Sequence, residues 1–298
     1  MKPVRLHLLY EHGADFRPFG SAYIRLLRPL THPVFRGKLA VTYGRSYNGS
    51  TVDAVVVDRL WRPDISLELA RQLRERTRRT GASLFFALDD HLLELAEERK
   101  DWRPSEAQMR AFRFFLAESD GVIVTTEGLR KQLQAHNPNI AVVPNMLDDR
   151  LLDGREAFKR LYPSFFRHWL SSALEAVANE IRTLARPQVT VGYMGTFTHD
   201  DDLLMILPAL REVCQQHSGE LALVLLGVAA QQPTLGDFHR LPARTARLIP
   251  RRAEYPDFMR WFSRTVNWDI AISPLRDTAF NRCKSDIKFL DYAALGTA

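Results

Sequence analysis

Cysteine is almost missing from this sequence: Cys214 and Cys283 are the two among 298 residues. They lie far apart and form no Cys-x-x-Cys pair, which excludes a disulfide framework and a thiolate zinc site. A reducing compartment is the expected home of such a chain. Long apolar runs are missing too, and none approaches the roughly 20 residues that span a bilayer. The opening MKPVRLHLLYEHG has too short an apolar core for a signal peptide and no small-residue cleavage site. There is no internal repeat and no low-complexity tract. No Gly-x-Gly-x-x-Gly follows a predicted strand, so nothing points to a nicotinamide cofactor. Neither charge sign dominates: 41 Lys and Arg face 35 Asp and Glu, a net charge of +6. That small excess speaks against nucleic acid and suits acidic substrates such as phosphates, or an anionic membrane surface. The expected location is the cytoplasm, soluble or peripheral on the inner face of the membrane.

What the chain does have is a globular composition, 46% hydrophobic. At about 150 residues per domain its length suits two domains. Residues 4–10, 39–43, 54–58, 83–88, 121–125 and 140–143 are short apolar runs rich in Val, Ile and Phe. Such runs read as strands buried on both faces of a parallel sheet. Helical patterns over 66–80, 105–118 and 126–135 separate several of them, which predicts βαβ units and a doubly wound domain over 1–150. Residues 151–186, rich in aromatics, break the rhythm and read as a helical connector or insertion. A second α/β series fills 187–298, with strands at 189–194, 221–226, 246–249 and 269–273. Helices are expected at 201–217, 256–265 and 285–295. Four strands are few for a doubly wound half, so this domain reads as incomplete at its C-terminus.

Ligands of open parallel sheets bind at the carboxyl ends of the strands, and two such domains face to face would form a cleft. Gly20 and Ser21 stand where the loop after the first strand enters a helix, where backbone N–H groups can meet an anion. Asp89 and Asp90 follow the fourth strand. They suit acid/base work or sugar hydroxyls, or a helix cap. Gly195, Thr196, Thr198 and His199 follow the first strand of the second domain and make a plausible phosphate cradle. In Asp200-Asp201-Asp202 a helix-capping role is preferred to a metal site, so no metal is assigned. The stretch 268–296 carries most. Arg276 and Asn281 lie in a polar loop, and Lys284, Ser285 and Lys288 are expected on the first turn of a helix. Lys284, Lys288 and Asp291 would then share one face. Two ammonium groups with helix N–H groups would hold a diphosphate, and a carboxylate binds ribose hydroxyls.

The segments VGYMGTFTHDDDL and DIAISPLRDTAFNRCKSDIKFLDYAALG resemble the donor-binding half of GT-B glycosyltransferases, close to the family 4 group. The resemblance covers roughly 189–296, with weaker support from SAYIRLL and Leu88-Asp89-Asp90. It implies two Rossmann-like domains and a nucleotide sugar bound mainly by the second. Gly195 and Thr196 would line the phosphates. Lys284, Ser285 and Lys288 would lie along the diphosphate and sugar, and Asp291 would replace the ribose-binding glutamate. Asp89 or Asp90 would reach the sugar or acceptor, with Gly20 and Ser21 by the donor or acceptor across the cleft. The sequence departs from the family's Glu-x7-Glu pattern, since Cys283 and Asp291 occupy those positions.

The activity implied is transfer of a sugar, a hexose with retention, to a glycan or lipid-linked acceptor in cell-surface polysaccharide biosynthesis. It would need no metal or cofactor beyond the nucleotide-sugar substrate. Two other readings compete: a non-catalytic GT-B-like scaffold within a larger protein, with further domains or partner chains, and a sugar-nucleotide epimerase. Arg71, Arg74, Arg76, Arg78 and Arg79 on one helix suit anionic lipids or plain solvation.

Overall fold

The computed structural model describes residues 2–98, 103–152, 189–196, 199–228, 232–248 and 254–298. The chain forms two compact units, Met1–Asp148 with Asp277–Ile287, and Asp149–Arg276 with Lys288–Ala298. The connector read over 151–186 falls outside the described residues, apart from the end of a short helix, Asp149–Leu152.

The first unit is built on a six-stranded sheet in the order β2-β1-β3-β4-β5-β6. Its strands are β1 (Val4–Leu9), β2 (Leu39–Gly44), β3 (Ala54–Asp58), β4 (Ser83–Leu88), β5 (Gly121–Val124) and β6 (Ile140–Val142). All pairings are parallel. Strand β3 shows why the apolar runs are continuous. Val55 and Val57 pack into one layer with Phe86, Phe112 and Phe115, while Val56 packs into the other with Leu8, Leu26 and Leu27. Both faces are covered, so alternation disappears. The helices carry their own signals. Ser66 caps Leu67–Thr80, which ends on Gly81 at φ 72°, and Ser105 opens Glu106–Glu118 with a capping box.

The second unit holds a parallel sheet in the order β10-β7-β8-β9. Its strands are β7 (Val189–Met194), β8 (Leu221–Leu226), β9 (Arg244–Leu248) and β10 (Ile270–Ala271). Leu223 and Leu225 of β8 face one core layer, and Val224 and Leu226 the other.

Three expectations are corrected. The helix expected at 201–217 is two helices, Asp200–Met205 and Leu207–Gln216, because Pro208 in the first turn of the second withholds an N–H donor. The last helix is Ile287–Ala294, and Lys284 precedes it with extended backbone at φ −71°, ψ 150°. Lys284 therefore shares no helix face with Lys288, and Ser285 also lies before the first turn. Finally, Asp277–Ile287 packs with the first unit rather than the second. Thr126 Oγ1 donates to the Cys283 carbonyl at 2.8 Å, and Asn145 Nδ2 donates to Ser285 Oγ at 2.8 Å.

Candidate functional site

In the first unit the carboxyl ends of β1, β3 and β4 bring four carboxylates together: Glu11, Asp58, Asp89 and Asp90. Three cations meet them. Arg25, on a π-helical turn (Tyr23–Leu27), lies 3.3 Å from Asp58 and 3.7 Å from Asp89. Arg59 lies 3.0 Å from Glu11, 3.3 Å from Asp89 and 3.4 Å from Asp90. Lys284 reaches Asp90 at 3.4 Å and stands 4.7 Å from the Phe280 ring centroid. Burial pushes the Glu11 carboxyl up to about 7, with Asp58, Asp89 and Asp90 adding repulsion against the attraction of Arg59. Burial likewise raises Asp58 to about 6 against the pull of Arg25. Gly20 and Ser21 open the helix that leads to Arg25, after Phe19 at its N-cap. A side chain at position 20 would meet nothing within 4 Å, so packing does not demand glycine there.

The second unit carries its polar groups at the ends of β7 and β8. Gly195 and Gly227 bring two turns into close approach: a Cβ on Gly227, whose φ is +75°, would sit 2.3 Å from the Gly195 carbonyl oxygen. A Cβ on Gly195 would likewise stand 2.9 Å from Tyr193 Cε1 and 3.0 Å from Val228 Cγ1, so the packing of the two turns requires glycine at both positions. On Ile287–Ala294, Lys288 Nζ donates to the Tyr193 hydroxyl at 3.0 Å and stands 4.8 Å from that ring's centroid. One turn on, Asp291 is 3% exposed, and its Oδ1 has no hydrogen-bond partner among the described residues. Burial pushes this carboxyl up to about 7. Its neighbour Tyr292 accepts the Met194 N–H at 2.9 Å and ties the helix to the end of β7.

All three aspartates of the acidic triplet fall in the first turn of Asp200–Met205, where they complement the helix dipole as expected. Asp202 accepts from His199 Nδ1 at 2.9 Å and from the Arg276 N–H at 3.0 Å, fastening the 276 loop to the turn after β7. These hydrogen bonds outweigh burial and hold Asp202 down at about 2. Thr196 accepts the His199 N–H at 3.0 Å, and Thr198 lies outside the described residues. Asn281 is buried at the start of a 3-10 turn, Asn281–Cys283, in the first unit.

Of the residues read from sequence, Asp89, Asp90 and Lys284 meet in the first unit. Lys288 and Asp291 share one face in the second. Glu11, Arg25, Asp58, Arg59, Tyr193 and Tyr292 escaped that reading. Asp58 had a signal: a carboxylate closing the wholly apolar run Ala54–Val57. Four of the five arginines on the basic helix Leu67–Thr80 have local partners. Arg74 forks onto Asp120 at 2.6 and 2.8 Å, Arg78 and Arg79 pair with Glu118 and Glu75, and Arg76 donates to the Tyr47 carbonyl. No described helix is long and apolar enough to cross a membrane.

Asp291 supplies a testable pH dependence. Its folded-state pKa of about 7 stands above its ordinary 3.8, so protonation favours the folded state. That contribution is full below pH 4 and is lost as pH rises through 7, on the order of 4 kcal/mol. Calorimetry should show the second unit less stable at pH 8 than at pH 5. Asp291→Asn should flatten the profile and exceed the wild type at pH 8. An unchanged profile would mean that Asp291 ionises freely in the fold.

No family model matches the chain, and no curated protein does. Solved structures do match. WaaG, described as a glycosyltransferase of lipopolysaccharide biosynthesis, is 12% identical, with a TM-score of 0.55 over 99% of this chain and 80% of that one. HepE of Anabaena, solved with UDP and glucose, is 11% identical, with a TM-score of 0.54 over 99% of this chain and 79% of that one. A UDP-forming trehalose-phosphate synthase of Burkholderia xenovorans is 14% identical, with a TM-score of 0.52 over 83% of this chain and 57% of that one. With two parallel α/β units and these likenesses, the chain has a GT-B fold.

Proposed function

We propose that this chain is a glycosyltransferase that moves a sugar, a hexose, from a nucleotide-sugar donor to a glycan or lipid-linked acceptor. One observation carries the reading: Asp291 buries an oxygen with no hydrogen-bond partner among the described residues, one turn from the Lys288 ammonium, in a GT-B fold. An unmatched buried acceptor calls for donors, and a ribose diol supplies two. The ammonium calls for an anion, and a diphosphate supplies it. HepE, with UDP and glucose bound, supports the same ligand class.

Cleaving the anomeric bond puts negative charge on the departing diphosphate. Lys288 would neutralise that charge as it develops, and no metal is needed for this step. Asp89 and Asp90 would receive hydrogen bonds from the acceptor's hydroxyls. The reading includes retention of anomeric configuration, which the product's anomeric coupling constant reports. Cell-surface polysaccharide assembly on the cytoplasmic side is the setting that suits such a donor and acceptor.

The test is a panel of UDP-, GDP-, dTDP-, ADP- and CMP-sugars. At least one should raise the melting temperature and release its nucleotide when a glycan or lipid-linked acceptor is added. A chain that no nucleotide sugar stabilises is not a glycosyltransferase of this kind.

A further inference from the structure

Arg59 stands in unusual backbone. It has φ +43°, and Trp61, two residues on, has φ +56°, so one short turn after β3 holds two bulky residues in the left-handed region. Such conformations persist only where the surroundings impose them, and they concentrate at functional sites. The turn is pinned at three points. The Arg59 N–H donates to the Ala87 carbonyl at 3.0 Å, the Trp61 N–H to the Asp58 carbonyl at 2.7 Å, and Trp61 Nε1 to the Arg45 carbonyl at 3.0 Å.

The consequence lies in the side chain. The Arg59 guanidinium reaches carboxylates from two different strand ends, Glu11 after β1 and Asp89 and Asp90 after β4. Glu11 is almost wholly enclosed, whereas the Asp89 and Asp90 side chains keep 18% and 22% of their surface open to ligands. A pair of adjacent carboxylates at a strand end repel one another, and a cation that touches both offsets that repulsion. Arg25 and Lys284 flank the group and touch Asp89 and Asp90 singly; Arg59 alone among the described cations touches both and Glu11 as well.

We propose that Arg59 is the positioning residue of the first unit's site: its left-handed turn sets one guanidinium between Glu11 and the Asp89–Asp90 pair, and so holds both aspartates in place for the hydroxyl groups of a sugar acceptor. The acceptor role rests on the glycosyltransferase reading above; the control of the two carboxyl groups by Arg59 does not.

Two measurements keep these apart. In protein labelled with carbon-13 at the aspartate side-chain carboxyls, Asp89 and Asp90 are assigned through Asp89→Asn and Asp90→Asn. Their titration is then followed in wild type and in Arg59→Gly, which keeps a residue suited to positive φ. At least one midpoint should rise by about one pH unit or more in the variant. Coincident curves would overturn the proposal whether or not the chain transfers sugar. With the donor found by the panel, Arg59→Gly should lose about 100-fold in kcat. Its acid limb should move to higher pH, and added guanidinium ion should restore part of the rate. An unshifted acid limb with no rescue would overturn the positioning role. Where Arg59→Gly gives no cooperative unfolding transition, Arg59→Lys replaces it. One ammonium keeps the charge but cannot span all three carboxylates, so the midpoints should stay near those of wild type while the rate loss remains; a wild-type rate counts against the proposal.

Discussion

Gly192→Ala should unfold the second unit under conditions where the first remains folded. A Cβ on Gly192 would stand 1.8 Å from Trp268 Cδ2 and 2.2 Å from its Cε3, far inside van der Waals contact. Relief is closed off on each side. Gly192 lies in β7, paired with Ala271 of β10 and with Val224 of β8, so the backbone is held from both directions. The indole packs edge-on against Phe262 at 5.5 Å and Tyr292 at 5.9 Å. Overpacking a core with one methyl typically costs about 1–3 kcal/mol, and this overlap should cost at least about 3. Denaturant unfolding should place the variant's second transition well below that of wild type. Trp268→Leu in the same chain should return part of the loss, a favourable coupling that marks the two residues as one contact. Gly20→Ala is the control, since nothing lies within 4 Å of its Cβ; its stability should stay within a few tenths of a kcal/mol of wild type. Equal stability of Gly192→Ala and wild type would contradict the packing at the centre of this unit.

The fold was legible where burial on both faces left a simple pattern. Runs such as Ala54–Asp58 and Leu221–Leu226 have boundaries that coincide with the strands, because continuous apolar sequence ending in a polar or glycine residue admits few other readings. Helix starts were legible where a hydroxyl caps them, as Ser66 and Ser105 do. Across 201–217 an apolar period runs unbroken through a hinge and reads as one helix, while Pro208 removes the hydrogen bond that continuity needs. Lys284 was misplaced for a related reason. A spacing of four makes a shared face only if the helix extends over both residues, and here a 3-10 turn intervenes.

The site was legible in part. Asp89 and Asp90 stand out because a strand end is where a parallel sheet offers ligands its polar groups. Lys288 and Asp291 stand out because helical spacing survives between them. Arg59 and Glu11 could not be paired from the sequence, since they are separated by two strand ends and meet only after the sheet order β1-β3-β4 is known. Tyr193 reads as an ordinary core aromatic, and its hydroxyl becomes significant only once the last helix brings Lys288 to it.

Lys288→Met should reduce transfer by about 10²–10³ in kcat, equivalent to roughly 3–4 kcal/mol of transition-state stabilisation. Methionine keeps an unbranched apolar stem and removes only the charge and the donor. In the resting protein the change should be small. The Tyr193 hydroxyl loses the hydrogen bond it accepts at 3.0 Å, and its ring loses a cation 4.8 Å from its centroid, together about 1–2 kcal/mol. The leaving diphosphate gains negative charge as the sugar departs, so the ammonium matters more in the transition state than in the ground state. The loss should therefore fall mainly on kcat, with a smaller rise in KM for the donor. Tyr193→Phe sharpens the inference by leaving the charge and removing the hydroxyl that orients it; a fall of about tenfold in kcat is expected, well short of the Lys288 variant. Stopped-flow or coupled detection of the released nucleotide measures both. If Lys288→Met binds the donor and turns over like wild type, the diphosphate does not lie against this helix and the second unit holds its ligand elsewhere.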